Sequence, residues 1–103
     1  MIIVFGNVQV APHHMNEARK LAKEHVERSR TEPGCISHNV YEDPDRPNLL
    51  VFVEEWTSEQ ALNQHFAVPA SVEFVNAVGR LAATRSRIRL LQASELLFPG
   101  SAA

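Results

Sequence analysis

The segment Leu49–Trp56 is apolar on both faces of a predicted strand, and this feature limits the possible folds more than any other. Successive side chains of a strand point to opposite faces, so Leu50 and Phe52 share one face. Val51 and Val53 lie on the other face. A strand that is apolar on both faces is usually buried on both. The sequence therefore predicts a sheet with a cover on each side.

The elements around this strand follow the order β-α-β-β-α-β. Alternating and β-branched residues predict the strands, and apolar residues at three- and four-residue spacing predict the helices. Proline and glycine mark the ends of elements, because proline cannot continue a helix and glycine tolerates tight turns. Strands are expected over residues 2–10, 35–42, 49–56 and about 84–91, and helices over residues 15–29, about 58–67 and about 70–81.

This order is the split βαβ arrangement, which predicts an α+β, ferredoxin-like fold with a four-stranded antiparallel sheet. A chain of 103 residues has the size of a single domain, so one domain is expected over residues 1–103. Thr57 is expected to cap the second helix, with Gln60 three residues later completing a capping box. The helices can cover only one face of the sheet. A second copy of the chain is expected to cover the other, and the apolar tail from about residue 92 is expected to reach onto it.

Composition excludes several classes of partner. The formal net charge is −2, without a basic cluster, so nucleic acid is not an expected partner. No apolar run approaches the roughly 20 residues of a membrane-spanning helix, and the N-terminus lacks the pattern of a signal peptide. Cys35 is the single cysteine, which indicates a reducing compartment, and the cytoplasm is the expected location.

Metal and cofactor signals are absent from the sequence pattern. None of the five histidines has a partner at zinc-finger spacing, and the neighbours His13 and His14 are expected to be an exposed pair. The four glycines are scattered, so no phosphate-binding loop is predicted. Cys35 has no evident base beside it and is interpreted as a small buried residue. The sequence predicts no metal and no cofactor.

A small-molecule pocket is expected between the sheet and the helices. His65 lies on the apolar stripe of its helix, so its imidazole points at the sheet. Asn7 places an amide in an otherwise apolar strand, where it needs a hydrogen-bond partner or a ligand. The expected polar groups are Asn7, His38, Trp56 and His65, and the expected apolar walls are Phe5, Phe52 and Phe74.

Four runs of sequence together resemble the antibiotic biosynthesis monooxygenase family, which includes small quinol monooxygenases. They are Glu32-Pro33-Gly34-Cys35-Ile36, Tyr41-Glu42-Asp43-Pro44-Asp45, Val53-Glu54-Glu55-Trp56 and Ala61-Leu62-Asn63-Gln64-His65-Phe66.

The resemblance implies a dimeric α+β barrel that oxygenates a quinol, a phenol or a polyketide-like aromatic with O₂. It implies that no flavin, haem or metal takes part, because the substrate supplies the electrons. His65 would accept a hydroxyl proton, since an imidazole titrates near neutral pH. Asn7 and Trp56 would hold oxygen atoms by N–H donation.

The chain also departs from some members of that family. Phe52 stands where some polyketide-oxidising members have asparagine, and Ala70 where many members have a second histidine. His65 occupies the position of a tryptophan in haem-degrading relatives, which disfavours haem degradation. Two other functions stay open on this scaffold: an isomerase or lyase with a histidine proton shuttle, and a small-molecule-binding protein without catalysis. The sequence does not identify the substrate.

Overall fold

The computed structural model describes residues 1–100, whose strands form one antiparallel sheet in the order β2-β3-β1-β4. The elements follow the expected β-α-β-β-α-β order, with two consecutive helices before the last strand, which confirms the α+β, ferredoxin-like prediction. A short 3₁₀ turn precedes the first helix. The bounds are β1 Ile2–Gln9, 3₁₀ turn Pro12–His14, α1 Met15–Ser29, β2 Cys35–Glu42, β3 Leu49–Trp56, α2 Glu59–Ala67, α3 Pro69–Leu81 and β4 Arg87–Gln92.

Most of the predicted bounds are confirmed, and α1, β2 and β3 match at both ends. The expected cap of α2 is wrong by one residue, because the hydroxyl of Ser58, and not that of Thr57, accepts a hydrogen bond from the backbone N–H of Ala61 at 3.1 Å. Proline is tolerated in the first turn of a helix, so α3 begins at Pro69 itself. The last strand begins at Arg87, three residues later than expected.

The helices pack on one face of the sheet and bury two apolar clusters. Small side chains on α1, such as Ala18 and Ala22, bring that helix close to the sheet. The clusters are held together by apolar burial, worth roughly 25 cal/mol per Å² removed from water. The larger cluster contains Val8, Val10, Met15, Ala18, Ala22, Val26, Leu50, Phe52, Val78 and Leu81, and the smaller contains Ile2, Val4, Trp56, Ala61 and Leu62.

The turn between α1 and β2 brings the end of α1 against the start of α2. Gly34 has φ of 82°, a left-handed conformation that favours glycine. Its carbonyl accepts a hydrogen bond from the backbone N–H of Thr57 at 2.9 Å. A Cβ at Gly34 would collide with the Cβ of Ala61. Only glycine fits this turn, which places Glu32 beside α2.

The other face of the sheet has no cover within residues 1–100. Phe5 is 38% exposed, and Val51 and Val53 are half-buried. The tail residues Leu96, Leu97 and Phe98 are also exposed. The expected cover by a second chain therefore stays a prediction. Within the described residues, each helix is too short or too polar to cross a membrane.

Candidate functional site

A cavity of about 230 Å³ lies between the helix-covered face of the sheet and the helices α2 and α3. Gly6 forms part of its floor, because glycine leaves space above the strand where a side chain would stand. Imidazole, carboxylate and hydroxyl groups are among the bordering side chains, and most of the exposed wall is apolar. It is bordered by Gly6, Asn7, Val8, His25, Phe52, Glu54, His65, Phe66, Ser71, Phe74, Val75, Val78, Ser86, Arg87 and Ile88.

Three buried histidines converge beside this cavity. His25 comes from α1, His38 from β2 and His65 from α2. Their ring centroids are separated by 5.1, 5.3 and 5.5 Å. One nitrogen from each ring lies within 4.8 Å of the others. The fold thus builds a compact imidazole triad from three distant parts of the chain.

Two carboxylates flank the triad. Nδ1 of His65 lies 2.8 Å from Oε1 of Glu32. A carboxylate only accepts hydrogen bonds, so in the neutral ring this nitrogen carries the proton and Nε2 holds the lone pair. That Nε2 is 3.9 Å from Oε1 of Glu54. Glu32 therefore fixes both the tautomer and the orientation of the His65 ring.

Glu54 is buried on β3, two residues before Trp56, whose indole N–H donates to Oε1 of Glu54 at 2.9 Å. Burial raises the pKa of the Glu54 carboxyl. Contact with His38 and the hydrogen bond from Trp56 act more strongly in the opposite direction, so the pKa lies below its ordinary value. Glu54 is therefore a carboxylate at neutral pH.

His38 is fully buried, and neither of its ring nitrogens makes a hydrogen bond within residues 1–100. Nε2 of His38 lies 3.2 Å from Oε1 of Glu54, close enough for an ion pair but in an orientation that forms no hydrogen bond. Buried polar groups are normally satisfied, so an unpartnered imidazole at this position is unusual.

His25 is held between an aromatic ring and a cation. Its ring stacks on Phe74 at 3.9 Å between centroids and 7° between planes. A guanidinium nitrogen of Arg28 donates to Nδ1 of His25 at 2.8 Å and to the hydroxyl of Ser71 at 3.1 Å. Burial lowers the pKa of His25 to about 3, with the neighbouring imidazoles and Arg28 acting in the same direction. His25 is therefore neutral.

The structure divides the residues that the sequence predicted for one pocket. His65, Phe52 and Phe74 border the cavity, as expected. His38 and Trp56 do not border it: both are fully buried behind it. The indole N–H of Trp56 donates to Glu54. The expected donation from Trp56 to a substrate oxygen is therefore corrected to a role in holding that carboxylate.

Phe5 and Asn7 differ from the other predicted residues. Both alternate with Gly6 along β1, so their side chains lie on the uncovered face of the sheet. Phe5 pairs there with Val53, and the expectation that it walls the pocket is corrected. Asn7 borders the cavity at its rim and also a second hollow on the uncovered face.

Three residues of the site escaped the sequence analysis: His25, Glu32 and Glu54. A histidine on the apolar stripe of α1 and an acidic residue on the buried face of β3 were visible signals, because both face the interior by periodicity. Glu32 lies in a turn, where periodicity gives no orientation. Cys35 is half-buried, and burial raises the pKa of its thiol, so it is not an activated nucleophile.

The fold and the site define a ferredoxin-like α+β protein with an internal cavity that ends at buried histidines and carboxylates. The sequence profile described as "Antibiotic biosynthesis monooxygenase" matches residues 1–77. The chain therefore belongs to the antibiotic biosynthesis monooxygenase family.

Individual relatives agree with this assignment. The chain is 38% identical over 94 residues to the Synechocystis protein sll1783, covering 91% of this chain but 64% of that protein, which is thus considerably longer than the matched region. It is 29% identical over 65 residues to YcnE of Bacillus subtilis, a proposed monooxygenase, covering 63% of this chain and 68% of YcnE. A Deinococcus radiodurans structure, described as a proposed antibiotic biosynthesis monooxygenase, has a TM-score of 0.90 at 26% identity and covers 95% of this chain and 97% of that chain.

Proposed function

We propose that the chain is a monooxygenase that oxidises a small quinol or phenol with O₂ and needs no cofactor for that reaction. The observation that carries the proposal is an apolar cavity with an imidazole and a carboxylate at one side. Family membership supports the reaction class. The apolar wall suits an aromatic ring, and the polar side suits its hydroxyl group.

The size of the cavity favours a small substrate. Drug-sized ligands occupy sites of roughly 300–1,000 Å³, whereas this cavity measures about 230 Å³. A compound of one or two rings is therefore favoured over a multi-ring polyketide. Phe52 and Phe74 supply aromatic surfaces for the ring, with their centroids 5.8 Å apart and their planes at 71°.

The proposed reaction starts with proton transfer to His65. Nε2 of His65 holds the lone pair, since Nδ1 donates to Glu32, and it accepts the proton of the substrate hydroxyl. The resulting anion transfers one electron to O₂, and the radical pair combines to a peroxide anion at a ring carbon. This peroxide takes the proton back from His65 and becomes a hydroperoxide, which regenerates the neutral imidazole. Loss of water gives a hydroxyquinone from a quinol. One oxygen atom enters the product and the other leaves as water, so the substrate supplies all four electrons.

The surrounding residues serve this chemistry in the proposal. Glu32 orients the His65 ring, and Glu54 stabilises the imidazolium that forms. The apolar wall excludes water, which protects the radical pair from side reactions. Asn7 borders the cavity, but its side chain lies on the other face of the sheet, so the proposal gives its amide no role in the reaction.

A homodimer in the cytoplasm completes the proposal. The uncovered sheet face carries Phe5, Val51 and Val53, and water contact with them is costly. A second copy is proposed to cover that face, and the apolar tail residues Leu96 to Phe98 are proposed to pack on it. Cys35 is a free thiol, which fits a reducing compartment.

The test is oxygen uptake by chelator-treated protein with a panel of quinols and phenols that includes menadiol. Uptake above the enzyme-free rate is expected, because quinols also oxidise spontaneously. His65→Gln is expected to lower the protein-dependent rate by about 100-fold or more, the usual range of a general base. His13→Gln changes an exposed histidine and serves as the matched control.

Other outcomes would point to other functions. Conversion of a substrate without O₂ uptake would indicate an isomerase or lyase that uses the same histidine. Binding without turnover, detected by thermal shift, would indicate a binding protein. Full activity in His65→Gln would overturn the proposed role of that residue.

A further inference from the structure

We infer that His25, His38 and His65 form a binding site for one divalent transition-metal ion, with the carboxylate of Glu54 beside it. This inference is independent of the proposed oxygenation, which needs no metal. It stands on the convergence of three buried imidazoles, on the unpartnered nitrogens of His38, and on two carboxylates that flank the triad.

The spacing of the rings matches a metal site. In a tetrahedral site with zinc-to-nitrogen distances of about 2.0–2.1 Å, the centroids of two imidazole ligands lie about 5 Å apart. The three centroid separations here are 5.1, 5.3 and 5.5 Å. The nitrogens lie within 4.8 Å of one another, wider than in a closed site. Because Glu32 fixes the ring of His65, the rings of His25 and His38 would have to rotate toward it to share one ion.

The tautomers also suit an ion. Glu32 accepts from Nδ1 of His65 and leaves Nε2 free, which is the carboxylate–histidine–metal arrangement found around many metal ligands. His38 offers either nitrogen, because neither makes a hydrogen bond among the described residues. Its Nε2 has a 3.2 Å contact with Glu54, whereas Nδ1 has neither a hydrogen bond nor an ion pair among the described residues, and a metal ion would satisfy this buried imidazole.

The charges of the buried groups favour a cation. Glu32 and Glu54 bring two negative charges, and Arg28 brings one positive charge, so neutral imidazoles leave the cluster with a net negative charge. Oε1 of Glu54 lies 3.2 Å from Nε2 of His38 and 3.9 Å from Nε2 of His65, at the edge of the triad. It is placed to become a fourth ligand or to balance the charge of the ion.

Imidazole nitrogens with one carboxylate select the transition metals and not magnesium or calcium, which prefer oxygen ligands. His25, His65 and Glu54 border the cavity, so an ion has a path to the site and a position open to an external ligand. Zinc and cobalt are therefore suitable probes.

Arg28 competes with the ion for His25. Its guanidinium donates to Nδ1 of His25, which keeps the other nitrogen protonated in the neutral ring. The guanidinium must release that nitrogen before His25 can serve as a ligand. Ser71, which already accepts from Arg28, and Glu32, 4.0 Å from it, can hold the released group. Removal of Arg28 is therefore expected to tighten metal binding.

The experiment titrates chelator-stripped protein with Co²⁺ and Zn²⁺ in the absence of any substrate. One equivalent of Co²⁺ per chain is expected, with the visible absorption of a four-coordinate cobalt site. The single tryptophan, Trp56, lies 4.6 Å from His65 between ring centroids, so bound Co²⁺ is expected to quench its fluorescence. Zn²⁺ is expected to displace Co²⁺ and restore the emission.

Variants test the ligands. His25→Gln and His65→Gln are each expected to weaken binding by about 100-fold or more, beyond the loss caused by changing an outer partner. The double variant His13→Gln, His14→Gln removes a histidine pair that belongs neither to the triad nor to the cavity wall, and it is expected to bind normally. Circular dichroism verifies that each variant folds. Arg28→Met, which removes no ligand, is expected to bind about tenfold more tightly.

Absence of Co²⁺ binding, or binding that disappears with His13 and His14, would overturn the inference. Unchanged or weaker Co²⁺ binding in Arg28→Met would show that His25 is not a ligand of the ion. The proposed oxygenation is judged separately by oxygen uptake, so the two failures are distinguishable. A bound ion occupies the lone pair of His65, and Zn²⁺ is therefore expected to inhibit turnover.

Discussion

Glu32, in the turn after α1, holds the imidazole of His65 on α2 through a 2.8 Å contact between Oε1 and Nδ1. The two residues are 33 positions apart, and the contact depends on the turn that brings α1 against α2. It determines which nitrogen of His65 faces Glu54. The chemistry available to this histidine is thus decided by a side chain outside the cavity.

Glu32→Gln is expected to loosen the control of the His65 tautomer. An amide accepts a hydrogen bond less strongly than a carboxylate and can also donate, so both tautomers become populated. A loss of about 10–100-fold in activity is expected, which is part of the roughly 10²–10⁴-fold that a general base supplies. Quinol-dependent oxygen uptake measures the rate, and ¹⁵N NMR of the imidazole reports the tautomer even without turnover. Glu42→Gln, at an exposed ion pair with Arg19, is the control. An unchanged His65 spectrum in Glu32→Gln would refute the assignment.

Val53→Asp is expected to separate the proposed dimer. Val53 pairs with Phe5 in the middle of the uncovered face, and burying a charge there on dimerisation would cost desolvation free energy. Light scattering after size exclusion at micromolar concentration should show a dimer for the native chain and a monomer for the variant. Gln64→Asp makes the same change of charge on the exposed side of α2 and should leave the dimer intact. A monomeric native chain would rule the dimer out.

Gly34→Ala is expected to destabilise the fold by about 2–5 kcal/mol. The left-handed backbone costs about 1–3 kcal/mol for an ordinary residue, and the new Cβ would press on Ala61 and Thr57. Gly79 in α3 is the matched control, because a Cβ there meets nothing within 4 Å. Gly79→Ala should stabilise the protein by about 0.5–1 kcal/mol. Urea unfolding measures the free energy of unfolding of both variants. A Gly34→Ala variant as stable as Gly79→Ala would contradict the role assigned to Gly34.

Alkylation of Cys35 is expected to be slow at pH 8. Burial raises the pKa of the thiol, with the charges of Glu32 and Glu54 acting in the same direction. At a given pH, a smaller fraction of Cys35 is therefore present as thiolate in the folded protein than in the unfolded chain. Iodoacetamide labelling followed by mass spectrometry should show a lower rate in the native protein than in urea, and the native rate should rise as the pH increases. Equal rates at pH 8 would contradict the shift.

Much of the fold was predictable from the sequence because periodicity identifies the face of each residue. The bounds of α1, β2 and β3 follow from their apolar patterns and from the prolines and glycines between them. The cap of α2 was misplaced because Thr57 and Ser58 both carry a hydroxyl, and only the backbone geometry selects Ser58. The late start of β4 was also hidden, because pairing with β1 sets this boundary and the ladder begins only at the pair Asn7 and Arg87.

The site was less predictable because it depends on contacts across the chain. His65 was identified from its apolar stripe, and the same rule applied to α1 would have included His25. Alternation along β1 already separates Asn7 and Phe5 from the helix-covered face. The pairing of Glu32 with His65, however, depends on how a turn packs against a helix, and no local pattern contains that information.

A substitution at Gly6 would change the depth of the cavity without disturbing the fold. A Cβ at this position would meet the Cβ of Phe52 at 3.7 Å and the backbone oxygen of Arg87 at 3.9 Å, which are ordinary contacts. A single methyl group there would make the cavity shallower while leaving the strand in place. The size of the accepted ligand can therefore be changed at this position without loss of stability. A series of side chains of increasing size at Gly6 would measure how large a ligand the cavity accepts.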